Sequence, residues 1–116
     1  MGLHELVRAI LAGDLLVARQ WVADAKRTIR WSELERPSGL SDTELILAAG
    51  LTELLSERAG AIAPAWTRSI GSSPATLILD PGLEQMPRTL QQARMNGPAA
   101  LRKRNLIATA EFLEVR

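Results

Sequence analysis

The sequence predicts a mainly α fold, a small helical bundle of about four to five helices with a Pro-rich C-terminal arm that includes one or two short strands. Three observations predict it. Hydrophobic residues make up 47% of the chain but aromatics only 3%, with no Tyr, so Leu, Ala, Ile and Val build the core around three Trp and one Phe. Leu and Ala favour helix, whereas β-branched and aromatic residues favour strand. The stretch 40–60 carries a helix with signals at both ends, and beyond Gly60 the texture turns to Pro, Gly and Ser.

The helix over 40–60 organises the rest. Ser41 followed three residues later by Glu44 is a capping box, in which each side chain satisfies an orphan backbone N–H. Gly60 stands where a C-terminal cap belongs. Leu45, Ala48, Ala49, Leu51, Leu54 and Leu55 return at helical spacing between them. Ile46 and Leu47 lie off that stripe, which predicts a helix covered on more than one side.

From the start of the chain, residues 2–11 read as a short amphipathic helix, with Leu3, Leu6, Val7, Ile10 and Leu11 on one stripe and Glu5 and Arg8 opposite. Asp14 is a good N-cap for a helix over 15–28 whose apolar face is Leu15, Ala18, Trp21, Val22 and Ala25. Lys26 and Arg27 suit its C-terminal dipole. Residues 29–40 are a connection, with a second capping box at Ser32 and Glu35 and a turn over 32–36 stopped by Pro37-Ser38-Gly39. Trp31 folds back as an anchor.

Pro64-Ala65-Trp66-Thr67 opens one helical turn. Residues 75–79 are the best strand candidate, a short apolar run between turn signals. Pro87 opens a helix over 88–95, with Leu90, Ala93 and the stem of Arg94 inward, closed by Asn96-Gly97. A short turn covers 99–104, Leu106-Ile107-Ala108 is extended or a sheet edge, and Thr109 caps a last turn with Phe112, Leu113 and Val115 packing down. A chain of 116 residues fits one domain, 1–116, a helical core unit over 1–60 with a loop-rich arm over 61–116 packed on it.

Composition bounds the chemistry. Fourteen basic and 13 acidic residues give a formal charge of +1, which is not the footprint of a dedicated nucleic-acid binder. Without Cys there is no disulfide framework, zinc-thiolate site or cysteine nucleophile, and a cytoplasmic location fits. The apolar start carries Glu5, Arg8 and Asp14 and lacks a basic leader, so it does not read as a signal peptide. No apolar run approaches the roughly 20 residues that span a bilayer.

Each candidate for chemistry has a plainer explanation. His4, the single histidine, reads as a surface residue. Asp80 and Glu84 flank Pro81-Gly82, and two carboxylates are the minimum for acid–base work or magnesium, yet a turn-forming Asp and a helix-start Glu explain them as well. Gly71-Ser72-Ser73 is like the opening Gly-Ser of a nucleotidyltransferase loop, but no Asp-x-Asp pair follows, and it reads as a flexible loop. No phosphate loop, nucleophile elbow or dinucleotide fingerprint occurs. The expectation is a protein without catalytic residues or cofactor. Gly50 followed by Leu51-Thr52 permits a helix-turn-helix reading. A continuous helix is simpler, with Gly50 allowing close approach of Trp21 or Trp31.

Arg102-Lys103-Arg104 is the one basic cluster, and three consecutive cations suit phosphates or an acidic protein. Arg88 and Arg94 are expected nearby. Trp66 follows Pro64-Ala65 in the loop-rich half. Buried Trp and Arg dominate interface energetics, so Trp66, Arg88, Arg94, Arg102, Lys103 and Arg104 are the expected partner-binding set.

Ala63-Pro64-Ala65-Trp66, then a Pro-containing loop, then Pro98-Ala99-Ala100-Leu101-Arg102-Lys103-Arg104-Asn105-Leu106-Ile107-Ala108 with a closing Leu113, resembles the C-terminal segment of a group of small bacterial proteins. These are often taken as antitoxins and are encoded beside nucleotidyltransferase-like toxins. The resemblance covers about the last 55 residues. It implies a non-enzymatic protein–protein role, binding and masking a partner of that toxin class. A small nucleic-acid-binding regulator is the alternative, and a metal-dependent enzyme using Asp80 and Glu84 the third reading.

Overall fold

The computed structural model describes residues 2–114. It is mainly helical, with two short strands. Helix α1 (Leu3–Leu11) and helix α2 (Leu15–Thr28) pack against each other. The Asp14 side chain accepts from the Val17 N–H at 3.2 Å, the N-cap its sequence position predicts. Leu3, Leu6, Val7 and Ile10 of α1 face Ala18, Trp21, Val22 and Ala25 of α2 in one core. The Trp21 indole N–H donates to the Gly2 carbonyl at 3.1 Å, giving a buried aromatic its polar partner. Leu11 is not on the buried stripe; it is 48% exposed.

A 3-10 turn, Trp31–Glu33, follows. It starts at Trp31 rather than Ser32, and its N-terminus has no side-chain cap, so the Ser32–Glu35 capping box does not form. Burial of Trp31 in the main core decides where the chain turns.

Helix α3 (Asp42–Arg58) is the centre of the molecule. Its capping box is present: the Glu44 N–H donates to Ser41 Oγ at 3.2 Å, and the Ser41 N–H to Glu44 Oε1 at 3.0 Å. At the other end Gly60, at φ +67°, lets its N–H reach the Glu57 carbonyl and the Ala61 N–H reach that of Ser56, a Schellman closure. The helix runs unbroken through Gly50, so there is no helix-turn-helix at this position. Ile46 through Thr52 and Leu54 through Ser56 are all buried, so it is covered on every side at its middle. The neighbours at Gly50 are not Trp21 or Trp31. A Cβ there would stand 3.1 Å from Leu101 and Leu106 and 3.5 Å from Arg104.

The two hydrogen bonds of the capping box hold the Glu44 carboxyl below its ordinary value, the Ser41 backbone N–H first among the causes. A group depressed in the folded state adds stability above its unfolded value and loses it as pH falls through the folded one. Ser41→Ala is expected to cost about 1 kcal/mol at pH 7. The stability gap between the wild type and Glu44→Gln should narrow as pH falls below the ordinary glutamate range and through the lower folded value. Urea melts at pH 7 and pH 3 check both.

The arm packs on α3. A 3-10 turn, Ala65–Ser69, lies against it. Strand β1 (Leu77–Ile78) pairs in parallel with β2 (Leu106–Ile107), Leu77 opposite Leu106. The Leu77 N–H reaches the Asn105 carbonyl at 3.1 Å, and the Leu79 N–H that of Ile107 at 2.8 Å. Helix α4 (Pro87–Asn96) and helix α5 (Ala99–Arg102) fill the crossover between the strands. Leu90 and Ala93 of α4 pack with Leu83 and Ile107 in a second small cluster. Arg94 is exposed, so its stem does not face inward. Phe112 and Leu113 close on the main core as expected, while Val115 lies outside the described residues. The main core draws on residues from Leu3 to Leu113, so both halves share it.

Candidate functional site

The basic cluster does not present one face. Consecutive residues at the end of a short helix point in different directions. Arg102 is exposed, and its Nε donates to the Gly97 carbonyl at 2.6 Å, pinning it beside the end of α4. Lys103 is half exposed, and its Nζ stands 2.9 Å from Glu53 Oε1. Arg104 turns inward and is only 4% exposed. Its Nη1 lies 3.1 Å from the same Glu53 oxygen, and its Nη2 donates to the Thr67 carbonyl at 2.6 Å. Arg104 is therefore an internal anchor joining α3 to the arm, not a surface cation. Gly50 lets Leu101 and Leu106 come close to α3, to 3.1 Å from where a Cβ would stand, and the Arg104 stem lies beside them at 3.5 Å.

Glu53 receives two cations on one oxygen, yet neither is aligned to give it a directed hydrogen bond. Arg104 Nε has no partner among the described residues. Lys103, Arg104 and Glu53 line a cleft of about 340 Å3 with Arg68, Ile70, Gly71 and Ser72. The Gly71-Ser72-Ser73 loop is fixed to the cluster: the Ser73 N–H donates to the Arg104 carbonyl at 2.9 Å, and Asn105 Nδ2 donates to the Ser73 carbonyl at 3.1 Å. Two features that are 30 residues apart in sequence thus share one wall.

The other expected site residues fall elsewhere. Trp66 is half-buried against the main core, and its indole N–H is committed to the Leu34 carbonyl at 2.9 Å. It ties the arm to the connection between α2 and α3. Arg88 and Arg94 are exposed on α4, and neither has an ion-pair partner among the described residues. Asp80 accepts from the Thr109 N–H at 2.7 Å and starts the turn at Leu83, so it fastens the two segments together. Glu84 is exposed. No group of three potential metal ligands occurs among the described residues. His4 Nε2 lies 2.7 Å from the Ser38 carbonyl.

A cleft of about 970 Å3 is lined by Val22, Trp31 and Leu55 together with Arg30 and Arg58. Arg58 spends its guanidinium on the Phe112 and Ala110 carbonyls, and burial pushes its pKa down from the ordinary arginine value. No described helix is long and apolar enough to cross a membrane. Sequence reasoning missed Glu53 and Thr67, the two residues that draw Arg104 inward. A carboxylate in the middle of an all-buried stretch of helix is the signal for Glu53, because a buried charge needs a partner. Comparison with protein families, with curated proteins and with solved structures finds no match for this chain.

Proposed function

We propose that the chain is a non-enzymatic protein-interaction module, antitoxin-like and cytoplasmic, which binds and masks a partner protein. The C-terminal resemblance implies a nucleotidyltransferase-like toxin as the partner class. One observation supports this reading most: α4 is held by very little of itself. Of its ten residues only Ala93 is buried. Arg88, Gln91, Gln92 and Met95 are all exposed, and they recur at the i, i+3, i+4, i+7 spacing of a helix laid in a partner's groove. Arg and Met are enriched where proteins meet, and Met95 is 63% exposed. Arg94 flanks this face and Arg102 stands at its C-terminal end. Residues 61–116 carry seven basic and four acidic residues, a formal +3 on a chain of +1, which favours an acidic partner surface.

The double substitution Arg88→Glu and Arg94→Glu is expected to weaken partner binding by about tenfold or more while leaving the melting temperature close to wild type, because exposed positions cost within ~0.5 kcal/mol each. The assay is capture of partner by the tagged chain from lysate treated with nuclease, followed by titration of the purified pair. Unchanged affinity would remove α4 as the contact. Loss of all captured material on nuclease treatment, with binding that falls steeply in salt, would move the function to nucleic acid.

A further inference from the structure

We propose that the cleft between the Gly71-Ser72 loop and the Lys103–Arg104 turn binds a phosphoryl dianion, carried by inorganic phosphate or by a small phosphate ester. The cleft gathers Arg68, Lys103 and Arg104 against the single carboxylate of Glu53, a formal surplus of two positive charges in about 340 Å3. Arg68 is exposed and has no ion-pair partner among the described residues. Arg104 lines the cleft, is 4% exposed and leaves its Nε without a partner. Arg104 therefore contributes its charge to the cleft wall from beneath, while the exposed Arg68 and Lys103 supply the direct contacts. A second observation is independent of the charges. Among the described residues the backbone N–H groups of Gly71 and Ser72 make no hydrogen bond. A Cβ at Gly71 would meet nothing within 4 Å, so the loop backbone is open to an approaching ligand.

The chemistry selects the anion. Successive loop N–H groups beside cations form an anion-binding concavity. Arginine forks match phosphate oxygens, and charge-assisted bonds of this kind are the strong ones. Glu53 does not defeat the site, since Lys103 and Arg104 both stand on its Oε1. A dianion with three terminal oxygens can meet Arg68, Lys103 and the loop N–H groups together. A carboxylate has fewer acceptor oxygens and half the charge. The site does not rest on the α4 contact, and either can fail without the other.

The test titrates the full chain with sodium phosphate at ionic strength held constant by sodium chloride, read by calorimetry and by melting temperature, with sodium acetate as the monoanion control. Saturable phosphate binding is expected, with a rise in melting temperature that acetate does not produce. Arg68→Gln and Lys103→Gln, both at exposed positions, are each expected to weaken it by roughly tenfold. Arg19→Gln on α2 should leave it unchanged. Glycerol phosphate separates the sources: binding equal to or tighter than inorganic phosphate assigns the site to an ester, and exclusion assigns it to the free ion. Absence of saturable binding, or binding indifferent to both cleft substitutions, overturns the proposal. Tighter binding of an unphosphorylated DNA strand through the same residues would overturn the small-ligand assignment.

Discussion

Gly97→Ala is expected to destabilise the chain by about 3 kcal/mol, the upper end of what overpacking costs, although Gly97 has an ordinary backbone. Its φ of −63° and ψ of 167° are open to any residue. The cost comes from space. A Cβ at Gly97 would stand 2.5 Å from the Ala108 carbonyl oxygen and 2.5 Å from that of Ala93. Both obstacles are main chain, so no side-chain rotation relieves them. One belongs to the last turn of α4, and the other follows β2. The Gly97 N–H already donates to Ala93 at 2.9 Å, and its carbonyl accepts from Arg102. Adding a methyl group must therefore push the end of α4 off β2 and loosen both bonds. Urea unfolding of Gly97→Ala beside Gly71→Ala gives the internal control, because Gly71 faces open space and its substitution should change stability by no more than ~0.5 kcal/mol. Equal stability of the two variants would mean that α4 does not approach Ala108 so closely. A displaced α4 should also lose partner affinity, since Arg88 and Met95 ride on it.

The same contrast explains what could be read in advance. Helices α2 and α3 follow from local signals, because the Asp14 cap, the Ser41–Glu44 box and the Gly60 closure each satisfy backbone groups within a few residues. The Ser32–Glu35 box has the same spelling and fails. Trp31 buries beside α3, and that contact outweighs a cap of about 1 kcal/mol. The two strand segments were legible as apolar runs, but their parallel pairing was not, since two-residue strands carry no register in themselves. The candidate site shows the same limit. Lys103 and the Gly71-Ser72 loop are visible in the sequence as a cluster and a turn. Their meeting depends on the Asn105 bond to Ser73 and on an Arg104 that leaves the surface, and nothing local encodes either.

Arg104→Ala is the second large effect, expected at about 3 kcal/mol. Removing one partner of a buried ion pair typically costs roughly 3–5 kcal/mol, because the other charge is left behind. Here Glu53 would remain with its side chain 12% exposed, and the Thr67 carbonyl would lose one of its two donors, keeping the Ile70 N–H. The figure lies at the lower end because Lys103, 2.9 Å from Glu53, can still face the carboxylate. Lys103→Ala should cost only ~0.5 kcal/mol, since its side chain is 56% exposed and solvent screens the pair. Neighbours in the chain that look alike in sequence would thus differ several-fold in thermal or urea melts. A paired replacement isolates the cause: Glu53→Leu with Arg104→Met removes both charges, keeps apolar volume beside Gly50, and should recover most of the lost stability. If Arg104→Ala melted with the wild type, Arg104 would have to be a surface cation after all, free to join Arg102 against a partner. If it unfolds early and the paired variant does not, the cluster divides by burial: Arg104 holds α3 to the arm, and Arg102 and Lys103 are left to meet what binds.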